Sequence, residues 1–93
     1  MAEIQLERET QPGGYAFRVT VSEQSSQTRH RVTLSENDYQ RLSGGRASPE
    51  ALVEESFHFL LERESKESIL RSFDLTVISR YFPEYEREIS RRL

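Results

Sequence analysis

Two runs of alternating apolar and polar residues constrain the fold of this chain most strongly. In "YAFRVTVSE", every second residue from Tyr15 to Val21 is apolar, and successive side chains of a strand point to opposite faces. "TRHRVTL" repeats the alternation, and the polar "QSSQ" between the two runs is typical of a turn. The pattern therefore predicts a β-hairpin over residues 15–34.

A further strand is predicted ahead of the hairpin. Ile4 and Leu6 alternate with polar residues over 3–8, and "QPGG" supplies the Pro and Gly of a turn back into the hairpin. We therefore expect a small antiparallel sheet of two to three strands, with an apolar face that the rest of the chain must cover. The opposite, polar face carries Arg18, Thr20, Arg29, Arg31 and Thr33.

Helix signals begin after the predicted hairpin. Ser35 is a candidate N-cap and Gly44 a candidate stop for a short helix. Ser48 is a natural N-cap and Pro49 suits the first helical position, so the main helix is predicted over 49–64. Its apolar stripe, which suits packing across the sheet, consists of Leu52, Val53, Phe57, Leu60 and Leu61.

The last third of the chain reads as short helical pieces. "KESILRSF" is predicted to form about two helical turns. Asp74 can cap a following turn, and Pro83 ends that turn because the residue before proline avoids the helical region. Pro83 can also begin the last helix. The apolar stripes of these pieces contain Leu75, Ile78, Phe82, Tyr85, Ile89 and Leu93.

Together these elements predict an α+β fold in one domain over 1–93. Residues 1–34 form its sheet part and 35–93 its helical part. The apolar share of 34% is low, since about 45–50% is usual when glycine is counted. The apolar residues are nevertheless bulky enough for one layer of helices on a sheet.

Composition excludes several kinds of site. The chain has no cysteine, which removes disulfides, thiolate zinc sites and cysteine nucleophiles. "MAEIQLERET" lacks the basic start and apolar run of a signal peptide, and no apolar run is long enough to span a bilayer. We therefore expect a cytoplasmic protein with no membrane association.

No catalytic or metal-binding constellation emerges from the residue spacing. Glu55 and His58 have the Glu-x-x-His spacing of carboxylate-bridged metal sites, but the chain has only one such motif. His58 is therefore assigned to a solvated helix face, and His30 to an inward strand position with satisfied hydrogen bonds. No nucleophile elbow or phosphate-binding glycine loop is present. We expect neither an enzyme nor a cofactor.

The segment "SFDLTVISRYFPEY" resembles the second half of a helix-turn-helix, so a DNA-binding regulator that uses 66–92 is the alternative function. Asp74 stands where a glycine would tighten the turn, and the helix before Pro83 is too short to read bases. The chain carries a net charge of −3, whereas nucleic-acid binders usually have a strongly basic footprint. Nucleic acid is therefore not the expected partner.

The favoured function is a non-enzymatic protein-interaction or regulatory module. Aromatic residues and arginine are enriched among the residues that dominate binding at protein interfaces, and both cluster around Pro83. The partner is expected to be another protein or a second copy of the chain. The candidate partner-facing residues are Arg80, Tyr81, Phe82, Tyr85 and Arg87.

Residues 48–85 resemble small bacterial proteins that share an "SPE…L…FLLERE…SIL…FDL…I…YFPEY" run. The aromatic and Asp-Leu residues at its end make this run fairly specific. The resemblance implies a bacterial cytosolic protein, and it implies no activity, cofactor or binding residue.

Overall fold

The computed structural model describes residues 2–93 and has an α+β fold in which one mixed sheet is covered on one face by helices. The sheet order is β1-β2-β3-β4, and the first three strands are antiparallel neighbours. The strands are β1 Glu3–Gln11, β2 Gly14–Glu23, β3 Ser26–Ser35 and β4 Ser72–Asp74. The helices are α1 Glu36–Ser43, α2 Pro49–Leu61, α3 Ile78–Tyr81 and α4 Tyr85–Arg92.

The predicted hairpin and the strand ahead of it are confirmed. β2 pairs with β3 from Gly14 opposite Ser35 to Glu23 opposite Ser26. β1 pairs with β2 and runs three residues beyond the predicted 3–8, because the turn at residues 12–13 is tight and the ladder continues to Gln11. A Cβ on Gly14 would clash with the backbone of β3, which explains the glycine at the start of β2.

The predicted sheet of two to three strands was too small. β4 adds a fourth strand, parallel to β3, with Phe73 opposite Val32. The N–H of Arg31 donates to the carbonyl of Arg71 at 2.7 Å and begins this pairing. Without β4, the backbone groups on that edge of β3 would need other partners.

The helix predicted over "KESILRSF" was also wrong. Only Lys66–Ser68 form a 3₁₀ turn, and the backbone is extended at Ile69, which is buried. Pairing with the edge of β3 outweighs the local helical pattern, because tertiary contacts override weak propensities in short segments.

The caps of α1 and α2 form as expected from the sequence. The Ser35 hydroxyl accepts from the Asp38 N–H at 3.0 Å, and the Ser48 hydroxyl accepts from the Ala51 N–H at 3.1 Å. Gly44 ends α1 with a φ of 60°, a left-handed conformation that glycine adopts at little cost. α2 ends at Leu61, three residues before the predicted end.

That early end of α2 has a local cause. The N–H groups of Arg63 and Glu64 both donate to the carbonyl of Leu60, at 2.9 Å each, which tightens the chain into a turn. The Arg63 guanidinium also donates to the carbonyl of Phe59 at 3.2 Å, so an otherwise unpartnered helix-end carbonyl is satisfied by a cation.

One apolar core joins the sheet to the helices. β2 and β3 contribute their inward residues, and α2 lies across them with Phe57 buried. The turn after Asp74, helix α3 and helix α4 close the same core with Leu75, Ile78 and Ile89 respectively. The cap predicted at Asp74 is confirmed, since its carboxylate accepts from the Thr76 N–H at 3.2 Å.

Candidate interaction surface

The structure divides the predicted partner-facing residues into exposed and buried members. Tyr81 is 67% exposed. Arg80 and Arg87 are also exposed, and Phe82 is half-buried. Tyr85 has no exposed surface, so its assignment as a partner-facing residue was wrong.

Tyr85 is a structural residue of the helical layer. Its hydroxyl lies 2.6 Å from the Ser56 hydroxyl, which in turn donates to the Leu52 carbonyl at 2.7 Å. Because the single Ser56 proton goes to that carbonyl, Tyr85 is the donor to Ser56. Its ring meets Phe59 edge to face, with centroids 5.3 Å apart. Burial raises the pKa of Tyr85, so the hydroxyl keeps its proton.

Leu70 is a surface residue that the sequence pattern did not single out. Leu70 and Tyr81 are the exposed large hydrophobic side chains of residues 2–93, at 47% and 67% exposure. They line one depression of about 190 Å³, whose wall consists of Glu64, Ser68, Leu70, Tyr81 and Phe82. We call this depression the Leu70–Tyr81 groove. A narrow apolar cleft of about 30 Å³ adjoins it, and its further lining is Leu60, Ile69, Phe73, Val77 and Ile78.

The extended backbone before β4 is what exposes Leu70. Ile69 faces the core at 4% exposure, and alternation turns Leu70 outward. The Leu70 carbonyl lies 2.7 Å from Nδ1 of His30, a buried residue of β3. The sequence predicted a helix over this segment, and a helix does not turn Ile69 and Leu70 to opposite sides as the extended backbone does.

Glu64 adds charge to the groove wall. Its side chain is half-buried, and this burial raises the pKa of its carboxyl group. Within residues 2–93 it makes no ion pair, whereas neighbouring Arg63 pairs with Glu84 at 3.0 Å. The groove thus offers an apolar floor beside a partly desolvated carboxylate that a cation would stabilise.

Arg80 and Arg87 lie outside the lining of the groove. Among the described residues, neither has a carboxylate within 4.0 Å, although Arg41 on α1 reaches Glu86 at 2.8 Å. Of the five residues predicted to face a partner, only Tyr81 and Phe82 line the groove.

The segment that resembled a helix-turn-helix has a different shape. Strand β4 occupies the place of the turn, the chain before it has only a 3₁₀ turn and extended backbone where the first helix would lie, and α3 is only four residues long. Phe82 then leaves the helix with an extended φ of −130°. These elements do not form the pair of helices that a base-reading motif needs. DNA binding itself stays an untested alternative.

The two histidines lie on different elements, His30 on β3 and His58 on α2. His30 is buried, with Nε2 2.8 Å from the Thr28 hydroxyl and Nδ1 against Leu70, so both ring nitrogens are satisfied as expected. The His58 side chain is 43% exposed and lies 3.7 Å from Glu54 on the wet face of α2. No group of three or more candidate metal ligands occurs within residues 2–93. No helix in this part of the chain is long and apolar enough to cross a membrane.

Comparison with known proteins adds no relative. No protein-family model, curated protein or solved structure matches the chain. The resemblance of residues 48–85 to bacterial proteins stays a prediction.

Proposed function

We propose that the protein is a non-enzymatic interaction module that binds a partner protein through the Leu70–Tyr81 groove. One observation carries the proposal: the two exposed large hydrophobic side chains of residues 2–93 are eleven positions apart and line the same depression. Isolated surface hydrophobics are common, whereas adjoining ones around a concave site are typical of interaction surfaces. The cytoplasmic location expected from the sequence is part of the proposal.

The chemistry of the groove indicates what its partner presents. A large apolar side chain would cover Leu70 and Tyr81 and approach the cleft beneath Phe82. A lysine or arginine beside that side chain would form an ion pair with Glu64. Such a pair is favourable because partial burial destabilises the Glu64 carboxylate when it has no cationic partner. The expected ligand is a short protein segment with adjacent apolar and basic side chains. A contact limited to one short segment buries little surface and is suited to transient binding.

Selection of peptides from a random display library would test the proposal. The wild-type protein is the target, and a Leu70→Ser/Tyr81→Ser variant is the counter-target. We expect enriched peptides to pair a large apolar residue with a basic one and to bind the wild type at least about tenfold more tightly than the variant. An Arg80→Ser/Arg87→Ser variant, altered outside the groove, is the matched control and should retain affinity.

Two results would contradict this function. Peptides that bind wild type and counter-target equally would remove the groove as the site. Self-association in sedimentation equilibrium that survives Leu70→Ser/Tyr81→Ser would point to a homodimer through another face. The DNA-binding alternative over 66–92 has its own test, since affinity for duplex DNA should appear first at low salt in fluorescence anisotropy.

A further inference from the structure

The face of the sheet that no helix covers carries a cluster of arginines. Arg18 on β2 lies directly opposite Arg31 on β3, and Arg29 lies two residues along β3 on the same face. All three side chains are exposed. Like charges directly opposite on neighbouring strands destabilise a sheet, so the sheet alone gives no reason for this arrangement.

The neighbouring carboxylates neutralise this charge only in part. Glu9 on β1 lies 3.0 Å from Nε of Arg18 and 3.9 Å from Nη2 of Arg31, so a single carboxylate is shared between two guanidinium groups. Within residues 2–93, Arg29 and Arg71 have no acidic partner within the 4.0 Å of an ion pair. Positive charge therefore exceeds negative charge only locally, around these four arginines, since Glu3, Glu7 and Glu9 on β1 and Asp74 on β4 lie on the same face.

These side chains surround an open depression of about 540 Å³. Its lining combines four arginines with one carboxylate, and consists of Glu7, Arg18, Val19, Thr20, Arg29, His30, Arg31 and Arg71. Arg71 belongs to the segment before β4, so the lining combines residues 7–31 with a residue from the last third of the chain. We call this depression the arginine face.

We propose that the arginine face binds an acidic, extended segment of a partner protein. Arg29 and Arg31 are separated by two strand positions, which is roughly 7 Å along the chain. Alternate carboxylates of an extended acidic peptide have the same spacing, so successive pairs can form in register. Guanidinium groups suit this role, because their planar donors bind carboxylates in a bidentate way.

The same face is poorly suited to nucleic acid. Its side chains in residues 3–35 and 72–74 include no aromatic residue on which a base could stack. Carboxylates flank the arginines on both sides, with Glu7 and Glu9 on β1 and Asp74 on β4. A long sugar-phosphate backbone would cross these acidic margins, whereas a short acidic segment fits between them.

Fluorescence anisotropy with a labelled, alternating Glu-Ser peptide would test this site. We expect binding at low salt that weakens as salt screens the charges. Arg29→Ala should weaken it about fivefold and Arg29→Ala/Arg31→Ala at least about tenfold. Arg29 is the informative single variant, because its removal breaks no ion pair described in the fold. Arg80→Ala/Arg87→Ala removes the same charge elsewhere and should change affinity less than about twofold.

The outcomes separate the proposal from its competitors. If Arg29→Ala/Arg31→Ala and Arg80→Ala/Arg87→Ala weaken peptide binding equally, the binding reflects general charge attraction and the proposal is overturned. Tighter binding of an oligothymidylate with the same number of charges would assign the face to nucleic acid and also overturn it. If the folded wild-type protein does not bind the peptide at low salt, the proposal is overturned. Urea denaturation of the wild type and of Arg29→Ala should give the same midpoint, which shows that the variant is folded as well.

Discussion

The Nδ1 atom of His30 donates a hydrogen bond to the backbone carbonyl of Leu70 at 2.7 Å. A carbonyl can only accept, so the neutral ring carries its proton on Nδ1, and Nε2 accepts from the Thr28 hydroxyl at 2.8 Å. This relationship holds the segment before β4 against β3. It also turns the Leu70 side chain toward solvent, where it forms one wall of the groove.

The first prediction concerns pH. Burial lowers the pKa of His30 below its ordinary value of 6.5, so the unfolded chain takes up a proton at higher pH than the folded chain does. His30 therefore contributes full stability above about pH 6.5, and that contribution is lost as pH falls below this value. We expect the free energy of unfolding, measured by urea denaturation, to decline as pH falls below about 6.5, by at most about 1.4 kcal/mol per pH unit.

A histidine replacement identifies the source of that slope. His30→Gln keeps an amide donor for the Leu70 carbonyl but cannot titrate, so the decline that begins below about pH 6.5 should flatten. His58→Gln is the matched control, because that side chain is 43% exposed on α2. An unchanged slope in His30→Gln would show that other groups cause it.

The second prediction concerns the buried hydroxyl of Tyr85. Tyr85→Phe removes its hydrogen bond to Ser56, and we expect a loss of about 1 kcal/mol in the free energy of unfolding. Tyr85→Ala also removes the ring that packs on Phe59 and should cost about 3–5 kcal/mol. Tyr81→Phe, at an exposed position, should change stability by less than about 0.5 kcal/mol. Equal effects at Tyr81 and Tyr85 would contradict the burial described here.

The third prediction concerns the carboxylate of Asp74, which joins β4 to the turn that follows. It accepts from the Thr33 hydroxyl at 2.7 Å, the Thr76 hydroxyl at 2.6 Å and the Thr76 N–H at 3.2 Å. Asp74→Ala should therefore cost about 2–3 kcal/mol. Ser48→Ala, which removes a single cap bond from Ala51, should cost about 1 kcal/mol. A smaller loss at Asp74 than at Ser48 would mean that these three bonds are weak in solution.

The fourth prediction compares two adjacent apolar residues. Ile69 is 4% exposed and Leu70 is 47% exposed, so the extended backbone sends them to opposite sides. Ile69→Ala should destabilise the protein by about 2–4 kcal/mol because it opens a cavity in the core. Leu70→Ala should cost less than about 1 kcal/mol. Chemical denaturation of both variants would measure the difference, and similar losses would contradict this backbone arrangement.

Sequence patterns were reliable where neighbouring residues carry the signal. The alternation from Tyr15 to Val21 predicted a strand because a period of two buries one face of a sheet. Ser48 and Pro49 predicted the start of α2 because a helix must satisfy its first N–H groups within one turn. Asp74 was recognised as a cap for the same reason.

Sequence patterns did not predict structure correctly where a segment pairs with residues far along the chain. The free edge of β3 accounts for β4, and this pairing brings Arg31 next to Ser72. Nothing within residues 66–73 indicates that edge, so the apolar residues there suggested a helix. The groove was not predicted for this reason, because Leu70 and Tyr81 line one depression only in the fold in which β4 pairs with β3.

Local chemistry in the sequence was thus sufficient for the antiparallel strands, the capped helices α1 and α2, and the α+β class. The exposure of individual side chains required the folded chain. Tyr85 and Tyr81 occupy similar surroundings in the sequence, yet one is buried against Phe59 and Ser56 while the other borders the groove. Burial depends on which surfaces meet in three dimensions, and those contacts join residues that the sequence separates by tens of positions.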